Sequence, residues 1–196
     1  MGRHREFDTE KALDAVVAVF WAKGYEGASY ADLTAATGVA RPGLYAAFGN
    51  KEDMFLKALD RYDERFMGFF PQALLEARSV EVARKTLRGA AEVHTGACTP
   101  AGCLGINGAL ACSDEAEAIR AGLARRRRGA ETLLAARFVR AREEGDLTAD
   151  ADPFALARFV MTVSQGMSVQ AKAGATREQL LEVAEMALAG WPSATR

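Results

Sequence analysis

Residues 29–51, SYADLTAATGVARPGLYAAFGNK, constrain the fold of this 196-residue chain more than any other stretch. Ser29 is placed to cap a short helix, with Asp32 three residues on in the capping-box position. Gly38 ends that helix by accepting a left-handed backbone that a Cβ would penalise. A second short helix starts near Arg41, with Pro42 in its first turn, where a missing N–H costs nothing. Helices of one or two turns are not stable alone, so Leu33, Val39, Leu44 and Phe48 must hold the pair at a fixed angle. Two short helices, a glycine-containing turn and an outward polar face form a helix-turn-helix signature.

The flanks are helical too. Asp8 is positioned to cap an amphipathic helix over about Thr9–Lys23, with Leu13, Val16, Val17 and Phe20 on one face and Gly24 as its stop. Asn50 is positioned to cap another that runs to about Phe70 and is closed by Pro71. Further helices are expected over about 79–95, 104–111, 114–144, 153–172 and 176–189. Asp152 with Pro153, and Thr176 with Gln179, mark two of their starts. Strand-period alternation of useful length is missing, as is any repeat, so the fold class is all-α.

Hydrophobic residues make up 49% of the chain, enough for a sizeable core, and the net charge of −1 does not by itself point to nucleic acid or membrane. No apolar run approaches transmembrane length, and MGRHREFD has no signal-peptide core, so a cytoplasmic protein without a membrane partner is expected. Three cysteines argue against a disulfide framework. The two histidines, His4 and His94, and the lack of His-Glu-x-x-His, phosphate-loop or Gly-x-Ser-x-Gly motifs argue against an enzyme.

With Leu33, Gly38, Val39, Leu44, Tyr45, Phe48, Lys51 and Glu52 in their places, the chain resembles the TetR family of bacterial regulators. The segments TPAGCLGIN at 99–107 and QGMSVQAKAGA at 165–175, with a terminal GWP, resemble a branch that includes repressors responding to copper or reactive electrophiles. The resemblance implies a homodimeric repressor. Residues 1–50 would bind a palindromic double-stranded DNA operator, with the motif at 29–48, and residues 51–196 would bind an inducer and dimerise. It implies no cofactor. The dimer would be built from the last two helices, where Phe159, Val163, Met167, Leu181 and Leu188 are the candidate interface residues.

Candidate DNA contacts are Arg41, at the start of the second short helix, Tyr45 one turn later, and Lys51 at the next helix N-terminus. Ser29, Tyr30, Pro42, Gly43 and Ala46 share the exposed motif surface, and Arg3 and Arg5 lie in a tail able to reach a groove or backbone. Two features run against the pattern. Residues 1–53 carry six Lys/Arg against eight Asp/Glu, whereas DNA-binding modules are usually basic. Ala46 and Ala47 leave the recognition face bare, and Ala40 stands where a Ser or Thr cap is usual. A helical ligand- or protein-binding module that has lost DNA binding is therefore the alternative. The run Arg125–Arg128 spreads around its helix, which points to pairing with Glu115, Glu117 or Glu131 rather than to a DNA stripe.

A regulator also needs a signal site. Cys98, Cys103 and Cys112, with His94 one turn before the first, admit three readings: soft ligands for a metal, a reactive thiolate at Cys103 lowered by a helix N-terminus, or plain small hydrophobes. An organic inducer among Phe66, Phe70, Asn107, Met161 and Gln165 is a further possibility. The identity of the inducer, a small molecule or a stress signal, is open, as is any metal.

Overall fold

The computed structural model describes residues 7–110 and 113–194. Arg3, Arg5 and Cys112 lie outside the described residues, as does the side chain of Glu115. Ten α-helices make up the described chain: α1 (Thr9–Gly27), α2 (Tyr30–Thr37), α3 (Arg41–Phe48), α4 (Lys51–Phe66), α5 (Phe69–Ala73), α6 (Ser79–His94), α7 (Leu104–Asn107), α8 (Glu117–Glu143), α9 (Pro153–Lys172) and α10 (Arg177–Leu188). One isolated antiparallel bridge, Leu147 to Ser193, is the sole β-type pairing among the described residues.

The helix starts follow from the capping chemistry. Reciprocal capping boxes form at Ser29–Asp32, Asn50–Asp53 and Thr176–Gln179. The carboxylates of Asp8 and Asp152 accept from first-turn amides of α1 and α9. Each supplies an acceptor to N–H groups that have no intrahelical partner. Gly38 adopts φ 68° as the C-cap of α2. Ala40, at the N-cap of α3, makes no side-chain cap bond; Pro42 in the first turn removes one of the orphan donors instead.

Two expected helix ends need correction: the helix expected over 104–111 stops at Asn107, and α4 ends early. Pro71 does not close α4, which ends at Phe66 with Met67 as its C-cap. The chain then bends at Gly68 and re-enters a helical turn, and Pro71 is the third residue of that turn. Proline is tolerated there because first-turn amides lack partners anyway.

Two cores result. The first gathers Phe20 and Trp21 of α1, Leu33, Leu44 and Phe48 of the short pair, and Phe55, Leu59 and Tyr62 of α4; it also takes in Leu104 and Ile106 of α7 and Ile119 and Leu123 of α8. The second joins Leu87 of α6, Phe138 of α8, Val160 of α9 and Leu180 and Ala184 of α10. The end of α1 is bound to the rest of the chain by backbone: the Tyr25 amide donates to the Gly108 carbonyl at 2.7 Å, and Lys172 Nζ donates to the Ala22 carbonyl at 3.1 Å. Gly24 makes this approach possible. Its φ is 73°, and a Cβ there would lie 3.2 Å from the Gly108 oxygen. Gly24→Ala is therefore expected to lower the unfolding free energy by about 1–2 kcal/mol, measured by urea denaturation; an unchanged midpoint would contradict the role given to this contact.

Candidate nucleic-acid interface and internal cavity

α2 and α3 are positioned by their apolar sides. Leu33, Leu44 and Phe48 are fully buried, which turns Ser29, Arg41, Pro42, Tyr45 and Ala46 outward. Tyr45 is 60% exposed, a large ring presented to solvent rather than packed. Gly43 is half-buried, and a Cβ there would meet the Val39 side chain at 2.9 Å, so its smallness serves the close approach of turn and helix. Ala47 is partly turned toward the first core, so the bare outer face rests on Ala46 and Gly43 rather than on both alanines.

The cations of this face are held in place without being neutralised. The Arg41 guanidinium lies 3.9 Å from the centre of the Tyr30 ring, and Lys51 Nζ lies 4.8 Å from that of Tyr25. Among the described residues neither has a carboxylate within ion-pair distance. Four of the acids, by contrast, are engaged elsewhere. Asp14 pairs with Arg61 at 2.9 Å and Arg65 at 2.5 Å on α4, and Glu10 pairs with Arg61 at 2.9 Å. Asp32 takes Lys23 and Ser29, which together hold its carboxyl well below the usual range. Glu26 accepts from Ser113 at 2.7 Å. The acidic balance of residues 1–53 is thus met partly by α4, and the positive charge left over sits on the motif face.

A cavity of about 630 Å³ lies behind α4, walled by α4, α5, α7, α8 and α9 and the end of α6. Phe70 and Met161 line it, as do His94 and Cys103. Phe66, Asn107 and Gln165 do not. Phe66 packs into the first core 4.9 Å from Trp21, and Asn107 Nδ2 donates to Ser168 Oγ at 3.0 Å, tying α7 to α9. Cys98 is exposed and borders a separate cleft beside α1, which Cys103 does not line. Among the described residues no group of three or more His, Cys, Asp or Glu side chains is gathered as a metal site would require.

The surroundings of Cys103 do not favour a thiolate. The residue is buried at the N-cap of a four-residue helix, and burial pushes its thiol up despite the Tyr62 hydroxyl that donates to Sγ at 3.2 Å. A single helical turn has little dipole to offset that desolvation. The arginine run also differs in its partners. Arg126 reaches across to Asp63 at 2.5 Å and to Asp60 on α4, and Arg127 donates to the Gly105 carbonyl at 3.1 Å. Glu117 and Glu131 are taken by Arg120 and Arg158. Contacts from the helix packed alongside, invisible to local spacing, outcompete same-helix neighbours here.

A path links this cavity to the DNA-facing end. Trp21 Nε1 donates to the Gly102 carbonyl at 2.9 Å, and its ring stands edge-on to Tyr62 at 4.7 Å. The Gly102 amide donates to the His94 carbonyl at 2.9 Å. No sequence signal linked Trp21, Tyr62 and Gly102, because each acts through a neighbour remote along the chain.

Comparison with known proteins agrees with this architecture. Residues 12–58 match the family described as bacterial regulatory proteins, tetR family, and residues 82–187 match the tetracyclin repressor-like C-terminal domain. The chain belongs to the TetR family. It is a transcriptional regulator of that family, not an enzyme. It is similar to the HTH-type transcriptional repressor ComR of Escherichia coli K12, at 38% identity over 193 residues, covering 97% of this chain and 92% of ComR. It is also similar to the repressor BdcR of the same organism, at 30% identity over 190 residues, covering 95% of this chain and 90% of BdcR. Among solved structures, a cysteine mutant of the regulator CifR bound to 26-bp double-strand operator DNA superposes with a TM-score of 0.92 at 41% identity, covering 97% of this chain and all of CifR. No helix among the described residues is long and apolar enough to cross a membrane.

His94 provides a pH signature of the cavity. Burial lowers its pKa from 6.5 to about 4. Its folded value lies below the unfolded one, so the unfolded chain takes up the proton first as pH falls. The stability it allows is complete above pH 6.5 and declines by on the order of 3 kcal/mol as pH falls toward 4. Urea unfolding of wild type and His94→Leu across pH 7 to 4.5 should show a flatter profile for the variant; parallel profiles would contradict a buried neutral imidazole.

Proposed function

We propose that the chain is a cytoplasmic, homodimeric repressor that holds a palindromic operator through the exposed face of α2 and α3, and is released when an inducer occupies the cavity behind α4. The observation that carries the DNA reading is the pair of cations without a carboxylate partner among the described residues, Arg41 and Lys51, in a segment where Glu10, Asp14, Glu26 and Asp32 are engaged with other groups. Arg41 reaches a base edge or a phosphate; Tyr45 and Lys51 take phosphates, Lys51 with help from the free amides at the start of α4; Ser29, Tyr30, Pro42, Gly43 and Ala46 set how closely the backbone approaches. CifR, 41% identical, is bound to a double-strand operator in its solved structure, which supports the same mode here.

The dimer reading has its own support. Met167 and Leu188 are buried within the chain, so they serve its internal core. Phe159 and, more partially, Val163 and Leu181 remain outward. They are joined by Val183, 45% exposed, and Met186, 79% exposed, on α10. A groove of about 580 Å³ runs between α9 and α10 beside Val163, Gly166 and Val183. An apolar face of this kind fits a second copy packed helix against helix, with the two α3 helices about 34–36 Å apart in successive major grooves.

Release follows from the course of α4. The helix starts at Lys51 on the DNA side and walls the cavity with Leu59, Tyr62 and Asp63. Filling the cavity moves α4 as a rod and changes the spacing of the two motifs. The burial of Cys103, with Cys98 exposed and no group of three metal-ligating side chains gathered among the described residues, favours a molecule held in the cavity over a preformed thiolate or a thiol-bound metal.

Mobility shift and fluorescence anisotropy on the DNA flanking the chain's own gene test the proposal. Wild type should bind with salt-sensitive affinity. Arg41→Ala should weaken binding by about 5- to 150-fold, and Lys51→Ala should reduce the slope of log affinity against log salt by about one. Absence of any salt-sensitive binding would leave the module without DNA function. For the dimer, Met186→Glu should shift the sedimentation coefficient to that of a monomer; an unchanged value would place the interface elsewhere.

A further inference from the structure

One cation on the cavity wall is left without a counter-charge. Asp63, Glu64, Arg126 and Arg127 all line the cavity. Asp63 is bound by Arg126 at 2.5 Å, and Arg126 also reaches Asp60. Glu64 has a side chain 72% exposed to water and lies 4.0 Å from Arg61. Arg127 has no carboxylate partner among the described residues. Its hydrogen bond runs from Nη1 to the Gly105 carbonyl at 3.1 Å. The titratable neighbours that act on it are Cys103, whose thiol is kept neutral by burial, and Arg128, a second cation.

The donors left over have a definite shape. A guanidinium presents Nε and Nη2 on one edge, where two parallel N–H groups match the two oxygens of a carboxylate. With Nη1 held by Gly105, that edge of Arg127 is unoccupied. It is not sealed from water either. The buried side-chain atoms without a partner among the described residues are His94 Nδ1 and Arg137 Nε and Nη1, and none belongs to Arg127. Gly105 and Cys103, the neighbours of the guanidinium, border the cavity with it, which fixes the group at the wall. Burial pulls its pKa below the ordinary arginine value, as expected of a cation partly withdrawn from water with no anion beside it; a guest anion would offset that cost. Much of the remaining wall is apolar, with Met67, Phe69, Phe70, Leu133 and Met161 prominent. Apolar walls with one placed polar anchor are the usual form of a small-molecule site.

We propose that the cavity takes an amphipathic monocarboxylate, an apolar ring or acyl body whose carboxylate is held edge-on by Arg127 Nε and Nη2. The proposal rests on the effector reading of this cavity and narrows it to a chemical class. Phe69, Phe70 and Met161 supply contact area for the body, and the fork of Arg127 fixes its orientation. An uncharged amide offers one acceptor oxygen where the fork has two donors, so it is held less tightly, and a cation is repelled.

Four probes with one ring system test this on the full chain at neutral pH: 2-naphthoate, an anion; 2-naphthamide, its uncharged counterpart; naphthalene, with no polar group; and 2-naphthylmethylamine, a cation. Calorimetric titration of wild type should give 2-naphthoate at least about 10-fold tighter than 2-naphthamide, the difference between a charge-assisted pair and a neutral hydrogen bond, with the cation weakest. The net charge of −1 supplies no general attraction for anions that would mimic this order. Arg127→Met, which keeps a stem and removes the fork, should erase the advantage of 2-naphthoate. Arg127→Lys, which keeps the charge without the fork, should leave a smaller one. Equal or tighter binding of 2-naphthamide, no binding of any probe, or an advantage that survives Arg127→Met would overturn the proposal; the wild-type series is decisive even if a variant does not fold. Operator release by the same probes separates the two readings. If 2-naphthoate binds in the expected order but the operator stays bound, the ligand class stands and the effector role falls. If 2-naphthamide or naphthalene releases the operator and 2-naphthoate does not, the effector role stands and the class falls.

Discussion

The hydrogen bond from Trp21 Nε1 to the Gly102 carbonyl is the contact on which the rest of the molecule depends. The indole belongs to the first helix, which packs against the short helix pair; the carbonyl belongs to the loop between α6 and α7, next to Cys103 on the cavity wall. Both groups are buried, so separating them would leave a donor and an acceptor without water or partner, a cost near that of two lost bonds. Trp21 also stands edge-on to Tyr62 and Phe66 of α4. Three elements that move together in the proposed release are therefore fastened at one residue. The Gly102 amide extends the junction to the end of α6 through the His94 carbonyl.

Charge is arranged to serve the same division. Asp14, Glu10, Glu26 and Asp32 are each bound to a partner inside the chain, several of them to α4 or to the loop before α8. These pairs are exposed enough that their net stabilisation is small. Their consequence is spatial: they withdraw negative charge from the motif surface and leave Arg41 and Lys51 stacked on tyrosines, ordered but available. A segment with an acidic count can in this way present a basic face, which whole-segment arithmetic does not reveal.

Much of the fold was legible in the sequence because caps and stops are local. Ser29 with Asp32, Asn50, Gly38, Asp152 with Pro153 and Thr176 with Gln179 each fix a boundary through atoms three or four residues apart, and all occur as read. Pro71 was misread because the break at Met67–Gly68 precedes it and proline is equally at home in a first turn. The cavity was legible only in part. Phe70, Met161, His94 and Cys103 lie on it, but Phe66 and Asn107 were drawn into packing and a side-chain bond with residues far along the chain. The state of the Cys103 thiol depends on burial, which spacing cannot report. On α9 and α10 the apolar stripes were visible, but their division into core (Met167, Leu180, Leu188) and outward face (Val183, Met186) is set by the angle at which the helices pack.

If one junction couples cavity and motif, the coupling is reciprocal, and it can be tested without knowing the inducer. Hydrogen–deuterium exchange of the full chain, free and saturated with its own operator DNA, is the most direct measurement. The account predicts slowed exchange over residues 29–54 together with a change in exchange at 102–108, across the Trp21 junction. Protection confined to 29–54, with 102–108 unchanged, would show that DNA binding does not reach the cavity wall and would contradict it.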